Sequence, residues 1–207
     1  MSNAAVDEDL QFRLGLQLIV AHAHDWPKGA NLLQRFFAVA SESARARSIQ
    51  QVGWDLMEPG NEFTTETLER LEAIWRGRSA EPHAPELKAF GTWFASSRFA
   101  AAGSLDLLRT TIHATRGRID GEDKVSARLR ELASERPHES LDMFSRILDG
   151  LEHPWTATRL EADGLVLVRL GLADTNPTVV RIARNIRQRF GMLGYASFAE
   201  FGPDPPE

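Results

Sequence analysis

The chain predicts an all-α fold, a right-handed α-solenoid of about ten helices arranged as helix hairpins. Three observations lead there. Apolar residues recur at helical spacing along almost the whole chain. A helix–linker–helix pattern returns at intervals of 38, 38 and 40 residues. The one stretch with strand character has no second strand to pair with.

Taken in order, the periodicity places helices at roughly 7–22, 30–46, 48–57, 64–77, 84–96, 103–116, 122–134, 138–150, 156–172 and 177–193. "LERLEAIW" sets Leu68, Leu71, Ile74 and Trp75 on one face, with acids and Arg70 between them. "LDMFSRILDGL" does the same with Leu141, Phe144, Ile147, Leu148 and Leu151. "VVRIARNIRQRF" aligns Val179, Ile182, Ala183, Ile186 and Phe190. Helix starts carry the expected chemistry: Thr64 or Thr65 as a cap, Pro137 at an opening turn, and Asn176-Pro177 as cap plus first helical residue. "DGED" at 120–123 reads as a turn leading into a helix with acids in its first turn. Gly150, Gly171 and Gly191 read as helix ends or close packing points. "GLVLVRLGLA" is rich in β-branched residues and glycine, yet a lone strand would leave its backbone groups unpaired, so it is read as helix.

The repeat rests on "LMEPG" from Leu56, "FASSR" from Phe94, "LASER" from Leu132 and "LADTN" from Leu172. Each begins where a helix ends, and a short polar linker follows with Pro59, Phe99, Pro137 or Pro177 near it. Repeats of about 34 to 47 residues built this way are the mark of HEAT-, ARM- or TPR-like solenoids, in which each pair leaves an apolar face for its neighbour to cover. The expected organisation is one repeat domain over 1–203, with 1–63 as irregular N-terminal helices, 64–203 as better-defined repeats, and 204–207 as a disordered tail. The expected core is Trp75, Phe90, Trp93, Phe94, Phe144, Ile147, Ile182, Ile186 and Phe190. Phe90, Trp93 and Phe94 fall at i, i+3 and i+4 and would bury one aromatic block. Tyr195, Phe198 and Phe201 of "GYASFAEF" are suited to covering the end of the last helix pair.

The run from "L…IW" through "ELKAFGTWFASSRF" to "NPTVVRIARNIRQRFGMLGYASFAEF" resembles the helical, HEAT-like C-terminal region of certain large bacterial proteins of poorly defined function. Some of those carry NTPase modules upstream. The resemblance covers about residues 64–202. It implies a scaffold or sensing surface, either one domain of something larger or a stand-alone relative, and supplies no catalytic residues.

Composition fits an ordinary globular protein, with 43% apolar and 26% charged residues. The net charge of −5 argues against a general nucleic-acid binder. No apolar run approaches the roughly 18 to 20 residues of a membrane span. "MSNAAVDEDL" lacks the order of a signal peptide, so a cytoplasmic location is expected. Zero cysteines exclude thiolate metal sites and disulfides. Of 24 basic residues all but Lys28, Lys88 and Lys124 are arginine. Their spread along the chain reads as coding bias rather than a binding stripe.

"AHAHDWP" at 21–27 is the stretch that most resembles a metal site. On a helix, however, His22 and His24 point about 200° apart and cannot grip one ion. They read as histidines favoured near a helix C-terminus, which Trp26-Pro27 ends. No phosphate-loop, dinucleotide or nucleophile-elbow motif is present, and no catalytic residue, metal or cofactor is expected. The one basic feature is the line of Arg181, Arg184 and Arg187 with Arg169 one helix earlier; from Trp155 to Tyr195 six arginines stand against three acids. The expectation is a non-enzymatic scaffold binding a protein partner through a curved surface. The second reading is nucleic-acid binding through that arginine edge.

Overall fold

Side-chain caps mark where three of these helices begin. Thr64 accepts from the Thr67 amide at 3.2 Å, Asn176 Oδ1 from the Thr178 amide at 2.9 Å, and Ser41 Oγ from the Ala44 amide at 3.1 Å. Each satisfies an amide that the first helical turn leaves without a partner. In a computed structural model of the chain, residues 3–26, 29–81 and 84–201 are described; they are helix and turn, with no strand among them. The expected tail at 204–207 lies outside the described residues.

Contacts divide the chain into two compact units: Met1–Thr115 with Ile119–Gly121, and Arg116–Arg118 with Glu122–Glu207. The first contains α1 (Asn3–Ala23), α2 (Gly29–Val39), α3 (Glu42–Met57) and α4 (Thr65–Ser79). A 3₁₀ helix (Pro85–Phe90), α5 (Gly91–Ala95) and α6 (Ala101–Thr115) complete it. Here α1 packs on α2, α3 and α4; α3 packs on the 3₁₀ helix and α5; α6 packs on α4, the 3₁₀ helix and α5. The expected division of 30–46 from 48–57 falls instead at Ala40–Ser41. There the Ser41 hydroxyl caps α3, and Gln11 Oε1 of α1 accepts from the Ser41 amide at 2.8 Å.

The centre of this unit is aromatic. Trp75, Phe90, Trp93 and Phe94 are all but inaccessible to solvent. Trp75 stacks on Phe90 with ring centres 5.6 Å apart, Trp93 meets Phe90 edge-on at 4.8 Å, and Phe99 touches both tryptophans. Such rings contribute large apolar area, provided each indole N–H finds an acceptor. Both do: Trp75 Nε1 donates to Thr111 Oγ1 at 3.0 Å and Trp93 Nε1 to the Ile49 carbonyl at 2.7 Å.

The second unit contains α7 (Glu122–Leu132), α8 (Pro137–Asp149), a 3₁₀ helix (Pro154–Leu160), α9 (Glu161–Leu172), α10 (Pro177–Met192) and a final 3₁₀ helix (Ala196–Phe201). Here α8 and α9 both pack on α7 and on α10 as well as on each other. Phe144, Ile147, Ile182, Ile186 and Phe190 are buried, as expected. Phe198 stacks on Phe190 with centres 4.2 Å apart and Tyr195 meets it edge-on at 5.4 Å, so the last aromatic segment does cover the end of α10.

Helix α9 is the stretch with strand-like composition. Its buried face is Gly164, Leu167, Val168 and Gly171, at i, i+3, i+4 and i+7. The glycines therefore serve contact rather than flexibility. Gly164 admits the Phe190 ring, and Gly171 admits the Leu141 side chain and Ala183. By contrast, Gly191 meets nothing and does not end α10. Gly194, at φ +87, does so, with the Tyr195 amide reaching back to the Phe190 carbonyl.

Leu56 and Phe94 each lie one residue before their helix ends, while Leu132 and Leu172 close theirs. The first three are buried and Leu172 is half-buried.

A Cβ at Gly171 would sit 2.7 Å from Ala183 Cβ, which no rotamer change can move aside. Gly171→Ala is expected to destabilise the fold by about 1–3 kcal/mol through overpacking. Gly77→Ala, at a helical position with open space around it, is expected to stabilise by up to about 1 kcal/mol. Urea unfolding of the two variants checks the contrast; equal shifts would contradict it.

Candidate interaction surface

"AHAHDWP" is a helix end of defined form. The Trp26 amide bonds to the Ala21 carbonyl at 2.9 Å and the Asp25 amide to the His22 carbonyl at 3.1 Å, the paired bonds of a Schellman motif. That motif needs a left-handed residue, usually glycine, and Asp25 occupies it at φ 63. Arg70 of α4 offsets the strain. Its guanidinium lies 3.2 Å from Asp25 Oδ2 and donates to the Ala23 carbonyl at 3.3 Å. His22 is half-buried behind this clamp and His24 is exposed. Pro27 lies outside the described residues. Among the described residues no group of three or more His, Asp or Glu is placed to hold a metal ion.

Two buried carboxylates are closed by arginine. Glu86 is inaccessible; its Oε1 accepts from Arg78 Nε at 3.0 Å and Nη2 at 2.7 Å, and Arg45 Nε lies 3.3 Å from Oε2. Arg45 also donates to the Phe37 and Ala40 carbonyls at the end of α2, and Arg78 lies over the Phe37 ring. This knot ties α2, α3, α4 and the Pro85–Phe90 helix together. In the second unit Asp163 accepts from Ser126 Oγ at 2.6 Å and Arg130 Nη1 at 2.7 Å, linking α7 to α9. Buried charges paired in this way are structural ties, since breaking one leaves an uncompensated charge; Glu86 Oε2 and Arg45 Nε, 3.3 Å apart, are held by charge without a hydrogen bond.

The arginine edge is only partly presented to solvent. Arg169 and Arg181 are exposed, whereas Arg184 and Arg187 are half-buried. Arg169, Arg184 and Arg187 all have partners within the protein, Arg187 reaching the Phe201 carbonyl at 3.5 Å. The solvent face of α10 is instead Pro177, Arg181, Asn185, Gln188 and Met192. Beside it an open groove of about 550 Å³ is lined by Met192, Tyr195, Phe198 and Ala199 together with Arg187.

Apolar exposure is concentrated elsewhere. Ten large apolar side chains are exposed among the described residues, and six of them lie between residues 10 and 39: Leu10, Leu14, Val20, Trp26, Leu32 and Val39. Leu10 is 62% exposed and Leu14 54%, on a helix whose other side is packed against α2, α3 and α4. The outer side of α1 mixes exposed Leu10, Leu14 and Val20 with the polar Asp7, Arg13 and Gln17, so its apolar members stand in a polar frame. Burying a leucine fully contributes about 1.5–3 kcal/mol, so this face has the means to hold another surface. Sequence reading missed it because the inner and outer apolar positions of α1 are interleaved along the chain, with only Gln11, Arg13 and Gln17 between them.

No helix among the described residues is long and apolar enough to cross a membrane. No family model matches the chain, and no curated protein or solved structure matches it.

Burial first, and then the Arg70 guanidinium, hold the His22 imidazole below its ordinary value of 6.5, with Asp25 pulling the other way. The fold thus favours neutral His22, while the unfolded chain takes up the proton at the ordinary value. The contribution is fully present above the ordinary value and is lost as pH falls below it. Melting temperature is expected to drop between about pH 7.5 and about pH 5.5, and His22→Gln to shallow that slope. A slope unchanged in the variant would contradict the assignment.

Proposed function

We propose that the chain is a non-enzymatic helical-repeat interaction module, an α-solenoid of stacked helix pairs, which docks a protein partner on the outer face of its first helices. The single observation that carries this reading is the exposed apolar stripe of α1. Contiguous exposed apolar side chains mark sites of association, and Leu10 and Leu14 lie one helical turn apart on α1.

The repeat architecture is supported by how locally the helices pack. Within each unit, every helix touches elements only a few places away in the chain, as expected where burial passes from neighbour to neighbour. The four residues marking the recurring motif all lie at helix ends. Nucleic-acid binding through α10 has less support, because most of the arginines it needs are already engaged inside the protein.

A photoreactive amino acid at position 14 and, separately, at position 181 compares the two faces. Discrete protein adducts are expected from position 14 and not from position 181. Adducts with nucleic acid from position 181, with none from position 14, would overturn the reading.

A further inference from the structure

Six residues of α1 and of the turn after it form one outward line, with the exposed Arg13 and Val20 beside it. Asp7, Leu10, Leu14, Gln17 and His24 are exposed and Ala21 half-exposed, and their spacing is 3, 4, 3, 4, 3. That alternation is the a/d pattern of a coiled-coil seam. At about 1.5 Å rise per residue it runs for about 25 Å. Among the described residues it is exposed, and α1 packs on α2, α3 and α4 through its other residues.

The seam is symmetric about its own midpoint. In an antiparallel helix pair related by a two-fold axis, facing residues have numbers with a constant sum. Here 7 pairs with 24, 10 with 21, and 14 with 17, all with the same sum and all seam positions. The pairing sets Leu10 against the small Ala21, and Leu14 against the aliphatic stem of Gln17. It also brings Asp7, whose carboxylate accepts from Gln11 at 3.1 Å, against His24 at both ends. A parallel pair would instead set Asp7 against Asp7 and one His24 against the other. Charge therefore selects the antiparallel arrangement, in which the same patch serves both partners.

We propose that α1 is the interface of a homodimer in which two copies of this chain pair their first helices antiparallel, with Leu10, Leu14, Gln17 and Ala21 in the seam and Asp7 facing His24 at each end. This rests on the docking reading above and names its partner.

Size-exclusion chromatography with light scattering on the purified chain tests it. The expected mass is about 46 kDa, twice the chain mass of 23.1 kDa. Leu10→Glu with Leu14→Glu is expected to give monomer with unchanged helical circular dichroism. Asp7→Lys is expected to weaken the dimer roughly tenfold, and adding His24→Glu to restore it. Should the double glutamate variant fail to fold, the charge swap carries the test. A wild-type monomer at all concentrations up to about 200 µM would overturn the homodimer. So would a dimer that survives the glutamates, or one that the charge swap fails to rescue. Adducts from position 14 to a different protein, in a chain that is monomeric, would leave the docking reading standing and remove only this one.

Discussion

The constraint on which the rest depends is that α1 carries large apolar side chains on its outer side as well as its inner one. Ile19, Leu18 and Ala23 on one side are buried against the neighbouring helices, while Leu10 and Leu14 on the other face water. Burial of the first set anchors α1 in its unit. Exposure of the second leaves apolar area that the unit itself has no element to cover. The same sequence feature thus accounts for the anchoring of α1 in its unit and for the leucines left on its outer side.

Elsewhere the helices are positioned by close approach and by tied charges. Gly164 and Gly171 let α9 come near Phe190, Leu141 and Ala183, and Gly15 does the same for α1 at Phe36 and Ser48. Glu86 between Arg45 and Arg78 fixes the order in which three helices and a 3₁₀ turn meet. Such buried ion pairs contribute little net stability but penalise every arrangement in which the acid lacks its partners. The aromatic block of Trp75, Phe90, Trp93 and Phe99 supplies apolar area, and its two indole hydrogen bonds restrict how it packs.

Much of this architecture was legible in the sequence because helix periodicity and capping are local. The spans of α4, α7, α8 and α10, their caps at Thr64 and Asn176, and the buried aromatic residues follow from spacing alone. What was not legible depends on partners distant in the chain. The division between α2 and α3 turns on a Gln11–Ser41 hydrogen bond across 30 residues. Glu86, in the first turn of the Pro85–Phe90 helix, has no local mark of burial; only the fold brings Arg45 and Arg78 to it. For the candidate surface, the arginine line was readable as a pattern, but its engagement by neighbouring groups was not. The α1 seam was present as spacing, yet only the packing of α2, α3 and α4 distinguishes its outer face from its inner one.

The most direct measurement uses the absence of cysteine from the chain. A single Leu14→Cys thiol reports whether the outer face of α1 is covered in solution. Its rate of modification by a soluble thiol reagent is predicted to fall as protein concentration rises, while that of a Thr110→Cys control stays constant. A Leu14→Cys rate equal to the control and independent of concentration would contradict the account.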